Sequence, residues 1–168
     1  MISWPFFFVA TVLLGAAAWR DVSTRTIPDP VCGMLATAGF ASRCILGGSE
    51  AVLSLAVALG LFVVLLAVAL RGLMGGGDVK LAAAMAVGMP PALAWDFVFT
   101  TAMVGGLLGL GYLAGPWLVA RPQPTGQVSL LRRIIRIEAW RVRRRGPVPY
   151  GVAIAGGGIL VMLAAQGG

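Results

Sequence analysis

Two aspartates have the types and places to do chemistry. Asp78 lies in Gly75-Gly76-Gly77-Asp78-Val79-Lys80, directly after the charge-free run Ala51 to Leu70. A carboxylate at the edge of such a run is costly to place in or beside lipid, which marks it as a candidate functional group. Asp21 holds the equivalent place after the first apolar run. Two carboxylates brought to one site do not both ionise readily; one pKa rises and the pair shares a proton. One member can then activate a water while the other protonates or hydrogen-bonds an amide carbonyl. That chemistry needs no histidine, serine or metal. The sequence holds no histidine, so a Ser-His-Asp or Cys-His mechanism and a His-based metal site are excluded.

The elements that must position these acids are apolar. Of 168 residues, 59% are hydrophobic and 11% charged, and the mean hydropathy is +0.93. A soluble domain carries roughly 25% charged residues. Lipid is therefore the expected solvent, and the useful count is of membrane spans. Six apolar runs stand out, near residues 2–19, 30–46, 51–70, 81–95, 97–120 and 148–165. We expect an all-α, single-domain protein over residues 1–168 with six transmembrane helices. The first run lacks a basic leader and a small-residue cleavage site, so it reads as a retained span. The fourth run is short and holds Pro90-Pro91, so its end reads as a turn.

Charge sets the orientation. Net charge is +7. With the N-terminus outside, the inner loops carry Arg20, Arg25, Arg71, Lys80, Arg121, Arg132, Arg133, Arg136, Arg141, Arg143, Arg144 and Arg145, against Arg43 outside. That asymmetry is the positive-inside pattern, and it favours an anionic inner leaflet over nucleic acid as the partner of these cations. It also places Asp21 and Asp78 on one face. Arg43 is expected to snorkel to the outer end of the second span. Glu50 and Asp96 read as solvated acids of short outer loops. After a breaker-rich linker, residues 128–145 read as a basic amphipathic helix. Leu130, Leu131, Ile134, Ile135, Ile137 and Val142 share one side; Arg132, Arg133, Arg136 and Arg143 share the other. Such a helix lies on the inner leaflet or offers a docking surface.

Local readings differ for each acid. Asp29-Pro30 resembles a helix start, with Asp29 as N-cap. Asp21 ends a helix, where the macrodipole disfavours an anion, unless Arg20 or Arg25 neutralises it. The three glycines permit unusual backbone angles and close approach, so a substrate strand could pass beside Asp78. The same stretch also reads as a turn with Asp78 capping the fourth helix. The Walker pattern is missing. Lys80 reads as an inner anchor or as a group tuning Asp78. Cys32 and Cys44, without a CxxC spacing, read as small buried hydrophobes. The glycines of residues 105–111 and 156–158 suggest close helix packing. No cofactor is suggested, and nothing in the residues supports a metal between the acids.

Three segments together resemble the prepilin peptidases of type IV pili, in particular the short form found with Tad/Flp pili. They are Asp21 followed after six intervening residues by Pro28-Asp29, the GxGD-like Gly75-Gly76-Gly77-Asp78 followed by Val79-Lys80-Leu81, and Pro149-Tyr150-Gly151 opening the last helix. The resemblance covers nearly the whole chain. It implies an aspartic membrane endopeptidase with Asp21 and Asp78 as the catalytic pair. Gly75, Gly76, Gly77, Lys80, Pro28 and Asp29 would support it or line the substrate path. The substrate implied is a prepilin or pseudopilin precursor, cut on the cytoplasmic side of a bacterial or archaeal plasma membrane. The cut follows a glycine, just before the precursor's hydrophobic helix. Pilus assembly proteins are further implied partners. Longer relatives carry cysteine pairs and also N-methylate the product; these residues hold no such pair, so cleavage without methylation is expected. Two other readings stay open: a presenilin-like intramembrane protease, and a non-catalytic scaffold or permease of a secretion apparatus.

Overall fold

The computed structural model describes residues 2–118, 130–143 and 148–167. These form seven α-helices: α1 (Trp4–Thr24), α2 (Asp29–Leu46), α3 (Gly48–Leu70), α4 (Gly76–Val87), α5 (Pro91–Leu118), α6 (Leu130–Arg143) and α7 (Tyr150–Gly167). No strand occurs among the described residues. Helices satisfy every interior backbone group within the segment, which is what a chain this apolar needs in lipid. Four of them, α1, α3, α5 and α7, are long and apolar enough to cross a membrane.

Cross-links at the two ends of the bundle set the relative directions of α1, α2 and α7. At one end Ser3 bonds Ser42 at 2.7 Å and the Gln166 amide donates to the Ile2 carbonyl at 2.9 Å. At the other end Gly151 bonds Asp21. Helix α1 therefore runs antiparallel to both α2 and α7. Helix α4 has 12 residues, about 18 Å at 1.5 Å per residue, and falls short of a ~30 Å hydrocarbon core.

Packing follows the small residues. The core holds Phe6, Leu14, Leu35, Leu81, Met85 and Ile154, all nearly inaccessible. Burial of apolar area drives little between helices in lipid, so close contact has to. A Cβ on Gly88 would overlap the Phe6 ring, and one on Gly39 would meet the Gly88 backbone at 2.7 Å. One on Gly157 would meet the Thr101 backbone at 2.8 Å, which closes α5 on α7. Gly106, Gly109 and Gly111 face open space instead.

Several boundaries and environments differ from the sequence expectations. The break between the fourth and fifth helices falls at residues 88–90, because Pro91 starts α5. Asp96 therefore sits inside α5, not in a loop. Arg43 does not snorkel; it is 2% exposed. Its Nε donates to Ser54 Oγ at 3.0 Å and its guanidinium pairs with Glu50. The turn at Gly47, with φ 147, folds α3 back so that both partners face Arg43. Glu50 is thus a paired acid in the first turn of α3. Cys32 is buried as expected, whereas Cys44 is exposed. The linker of residues 119–129, with Arg121 and Val128, lies outside the described residues, as do Arg144 and Arg145 and the side chains of Arg132, Arg133 and Arg143.

Candidate active site

Asp21 and Asp78 line one cavity of about 410 Å³. Its remaining walls come from the loop after α1 (Arg25, Thr26, Ile27), from Asp29, and from Gly75, Gly76, Gly77 and Lys80. The sequence-derived site residues thus meet in one place, with Pro28 adjoining as the N-cap of α2.

Asp21 is held by the far end of the chain. It lies in the last turn of α1 and is 6% exposed. The Gly151 N–H, in the first turn of α7, donates to Asp21 Oδ2 at 2.7 Å. An acid disfavoured by the C-terminal dipole of its own helix thereby meets the N-terminal dipole and a free N–H of another. Gly151 must be glycine, since a Cβ there would lie 2.9 Å from both Cβ and Oδ2 of Asp21.

Asp78 is the third residue of α4, and Gly75 is the N-cap. The Asp78 carboxylate reaches back to the Gly75 N–H. This is the reciprocal half of a capping box, so the structural role foreseen for Asp78 is present. The cavity adds a second circumstance. Burial pushes the Asp78 carboxyl up to about 6, and the Asp21 charge pushes the same way; the Gly75 N–H and Arg25 only partly oppose them. A carboxyl in that range takes or gives a proton near neutral pH.

The glycines act through space, not through unusual angles. Gly75 has φ −73. Gly76 and Gly77 open the helix, and the positive-φ glycine of this region is Gly72. A Cβ on Gly75 would lie 2.8 Å from Asp78 Oδ2, and one on Gly77 would lie 3.2 Å from the Ile27 Cβ. Gly77 therefore lets the loop after α1 settle against α4, which brings the two acids to one cavity.

Two expectations for the flanking residues are corrected. Asp29 does not cap α2; Pro28 holds that position and no side chain caps it. Lys80 Nζ instead pairs with Asp29 Oδ1 at 2.7 Å, so its partner is Asp29 and not Asp78. Both side chains are more than half exposed, and such a pair contributes little to stability. Its place is more telling than its strength, because the pair stands on the rim of the cavity.

A third group of charges went unrecognised in the sequence. Arg25 ends α1 in the left-handed region, φ 57, and its N–H bonds the Asp21 carbonyl at 3.0 Å. A non-glycine residue there costs about 1 kcal/mol or more and persists where other contacts hold it. Its Nη2 donates to Tyr112 of α5 and to Glu138 of α6. Arg141 donates to Glu138 at 3.1 Å and to the Val22 carbonyl at 2.7 Å. Nε and Nη1 of Arg25 are buried with no partner among the described residues. Helix α6 is thus tied to the segment that carries Asp21. Its apolar face is not uniform. Val142 packs on Gly115, and Glu138 and Arg141 point inward, while Ile135, Ile137 and Trp140 are exposed. A Glu and an Arg three apart inside an otherwise apolar face were the readable signal.

No group of three or more acids and cysteines fit to hold a metal occurs among the described residues. What the cavity offers is a pair of carboxyls, one poised to exchange a proton, beside a guanidinium.

An all-helical protein with several helices long and apolar enough to cross a membrane is a polytopic membrane protein, and this one has two carboxyls at one cavity. The model of the type IV leader peptidase family matches residues 8–112, more than half of the chain. The chain belongs to that family, a family of proteases. The matched segment contains Asp21 and Asp78; Glu138, Arg141 and Gly151 lie beyond it. No curated protein and no solved structure matches the chain.

Proposed function

We propose that this protein is an aspartic endopeptidase that cuts the leader from prepilin-like precursors, with Asp21 and Asp78 as its catalytic pair. The observation that carries this reading is the convergence of both acids on one cavity in a chain of the leader peptidase family. One carboxylate draws a proton from water as the oxygen attacks the scissile carbonyl, and the other carboxyl donates a hydrogen bond to the carbonyl oxygen. The proton then passes to the departing amine, and the pair ends with one proton between them.

The fold is read as six crossings with the N-terminus outside and the cavity facing the cytoplasm of a bacterial inner membrane or archaeal plasma membrane. Arg25, Lys80 and Arg141 gather at the cavity end, while Arg43 lies at the other, which supports that orientation. Asp21 sits one turn from the end of α1. That place suits cleavage of a leader at the membrane face better than cleavage within a span.

The test is to reconstitute the protein in nanodiscs with a prepilin precursor and weigh the products. Two fragments, separated after the glycine that precedes the hydrophobic helix, are expected. An intact precursor under all conditions would overturn the reading.

A further inference from the structure

A second cavity adjoins the first. It has about 380 Å³ and lies between α2, α3 and α4. Its floor is made of small or buried side chains, Cys32, Ala58 and Ala84, and exposed Leu55 and Leu59 form its rim. Asp29 and Lys80 line both this groove and the cavity that holds Asp21 and Asp78. They are the groove's charged residues, and they stand at its catalytic end. Along α4 it runs from Lys80 to Val87, about 10 Å at 1.5 Å per residue, or two turns of an apolar helix.

We propose that this groove seats the hydrophobic helix of the precursor while the preceding leader enters the catalytic cavity past the Asp29–Lys80 pair. The proposal rests on the leader peptidase reading and names the surface that reading requires. A substrate cut just ahead of an apolar helix needs an apolar seat opening directly onto the catalytic cavity. This groove is continuous with it through two shared residues. Small residues along its walls, Gly33 and Ala36 among them, let another helix backbone approach closely, which an acyl chain does not require. The rival surface is the groove of about 460 Å³ lined by α3, α4, α5 and α7, which includes Gly105, Gly106 and Gly109. It shares no lining residue with the catalytic cavity.

Two open glycines allow a matched test. A Cβ meets nothing within 4 Å at Gly33 or at Gly106, so Gly33→Leu fills the proposed groove and Gly106→Leu fills the rival without a clash at the backbone. With full-length precursor in nanodiscs, Gly33→Leu is expected to lower kcat/KM at least tenfold, mainly through KM, and Gly106→Leu to leave it within twofold. An unchanged rate for Gly33→Leu overturns the proposal, and so does a loss of equal size for Gly106→Leu. Should Gly33→Leu fail to accumulate, a photo-crosslinking residue at Leu59 in the Asp78→Asn protein decides. An adduct to the precursor's apolar segment supports the seat; no adduct there, with one at Ala102 of the rival groove, overturns it. Wild type that cuts no precursor sinks the leader peptidase reading, whereas wild type and Gly33→Leu cutting equally sink the groove alone.

Discussion

The backbone N–H of Gly151 donates to the Asp21 carboxylate at 2.7 Å across 130 residues of sequence. The contact joins the end of α1 to the start of α7 and sets where the Asp21 carboxyl points. A methyl on Gly151 would press on Asp21 Cβ and Oδ2. Gly151→Ala is therefore expected to accumulate in the membrane as wild type does and to lose about a hundredfold in kcat, the usual cost of a misplaced reacting group. Initial rates on a purified precursor check this. A rate within threefold of wild type would show that this contact does not position the acid.

Glu138 lies between Arg25 and Arg141. Replacing it leaves two partly buried cations without their anion. Glu138→Gln is expected to cost about 2 kcal/mol. In a double-mutant cycle with Arg25→Gln, the pair should couple by about 1 kcal/mol, read from thermal unfolding of both singles and the double. Additive losses would mean that α6 is not held to α1 through this pair.

Catalysis should depend on pH through Asp78. Its carboxyl lies at about 6, and the ionised Asp21 is among the causes of the rise. That value therefore marks loss of the second proton of the pair, and the singly protonated pair prevails below it. We expect kcat/KM to fall about tenfold between pH 6 and pH 7.5. Arg25 holds the Asp78 carboxyl down, so Arg25→Gln should move this limb to higher pH. A limb that stays in place in Arg25→Gln would contradict the electrostatic role.

The same group makes stability depend on pH with a fixed sign. Its ordinary value is 3.8 and its folded value is about 6. The folded chain thus binds the proton more tightly than the unfolded one, and stability falls as pH rises through that window. Asp78→Asn removes the effect. Its Tm should match wild type at pH 4 and exceed it by about 3 °C at pH 7.5. Scanning fluorimetry at both values reads this, and a lower Tm for the variant at pH 7.5 would contradict it.

Much of the site was legible because membrane proteins keep few charges. Asp21 and Asp78 stood out against apolar runs, and the distribution of arginines placed them on one face without any geometry. The roles of single charges were less legible. Arg25 counted as a loop cation and as a candidate neutraliser of Asp21, yet its backbone also caps α1 and its side chain binds α5 and α6. Arg43 and Lys80 likewise found partners on helices that only the folded bundle brings near. Asp29 resembled an N-cap, but Pro28 already supplied the extended residue that starts the helix. Glu138 and Arg141 went unread as a pair, although their spacing inside an apolar face was legible. Their target, the end of α1, was not, because it depends on how α6 folds back.

If Asp21 and Asp78 act as one pair, the loss of either abolishes cleavage. Asp21→Asn and Asp78→Asn change one atom of each side chain and keep its size. Each variant should be coexpressed with a prepilin precursor beside wild type, and the precursor's mass followed over time. Both variants are expected to reach the membrane at wild-type levels and to leave the precursor uncut. Full processing by either variant would contradict the two-acid mechanism.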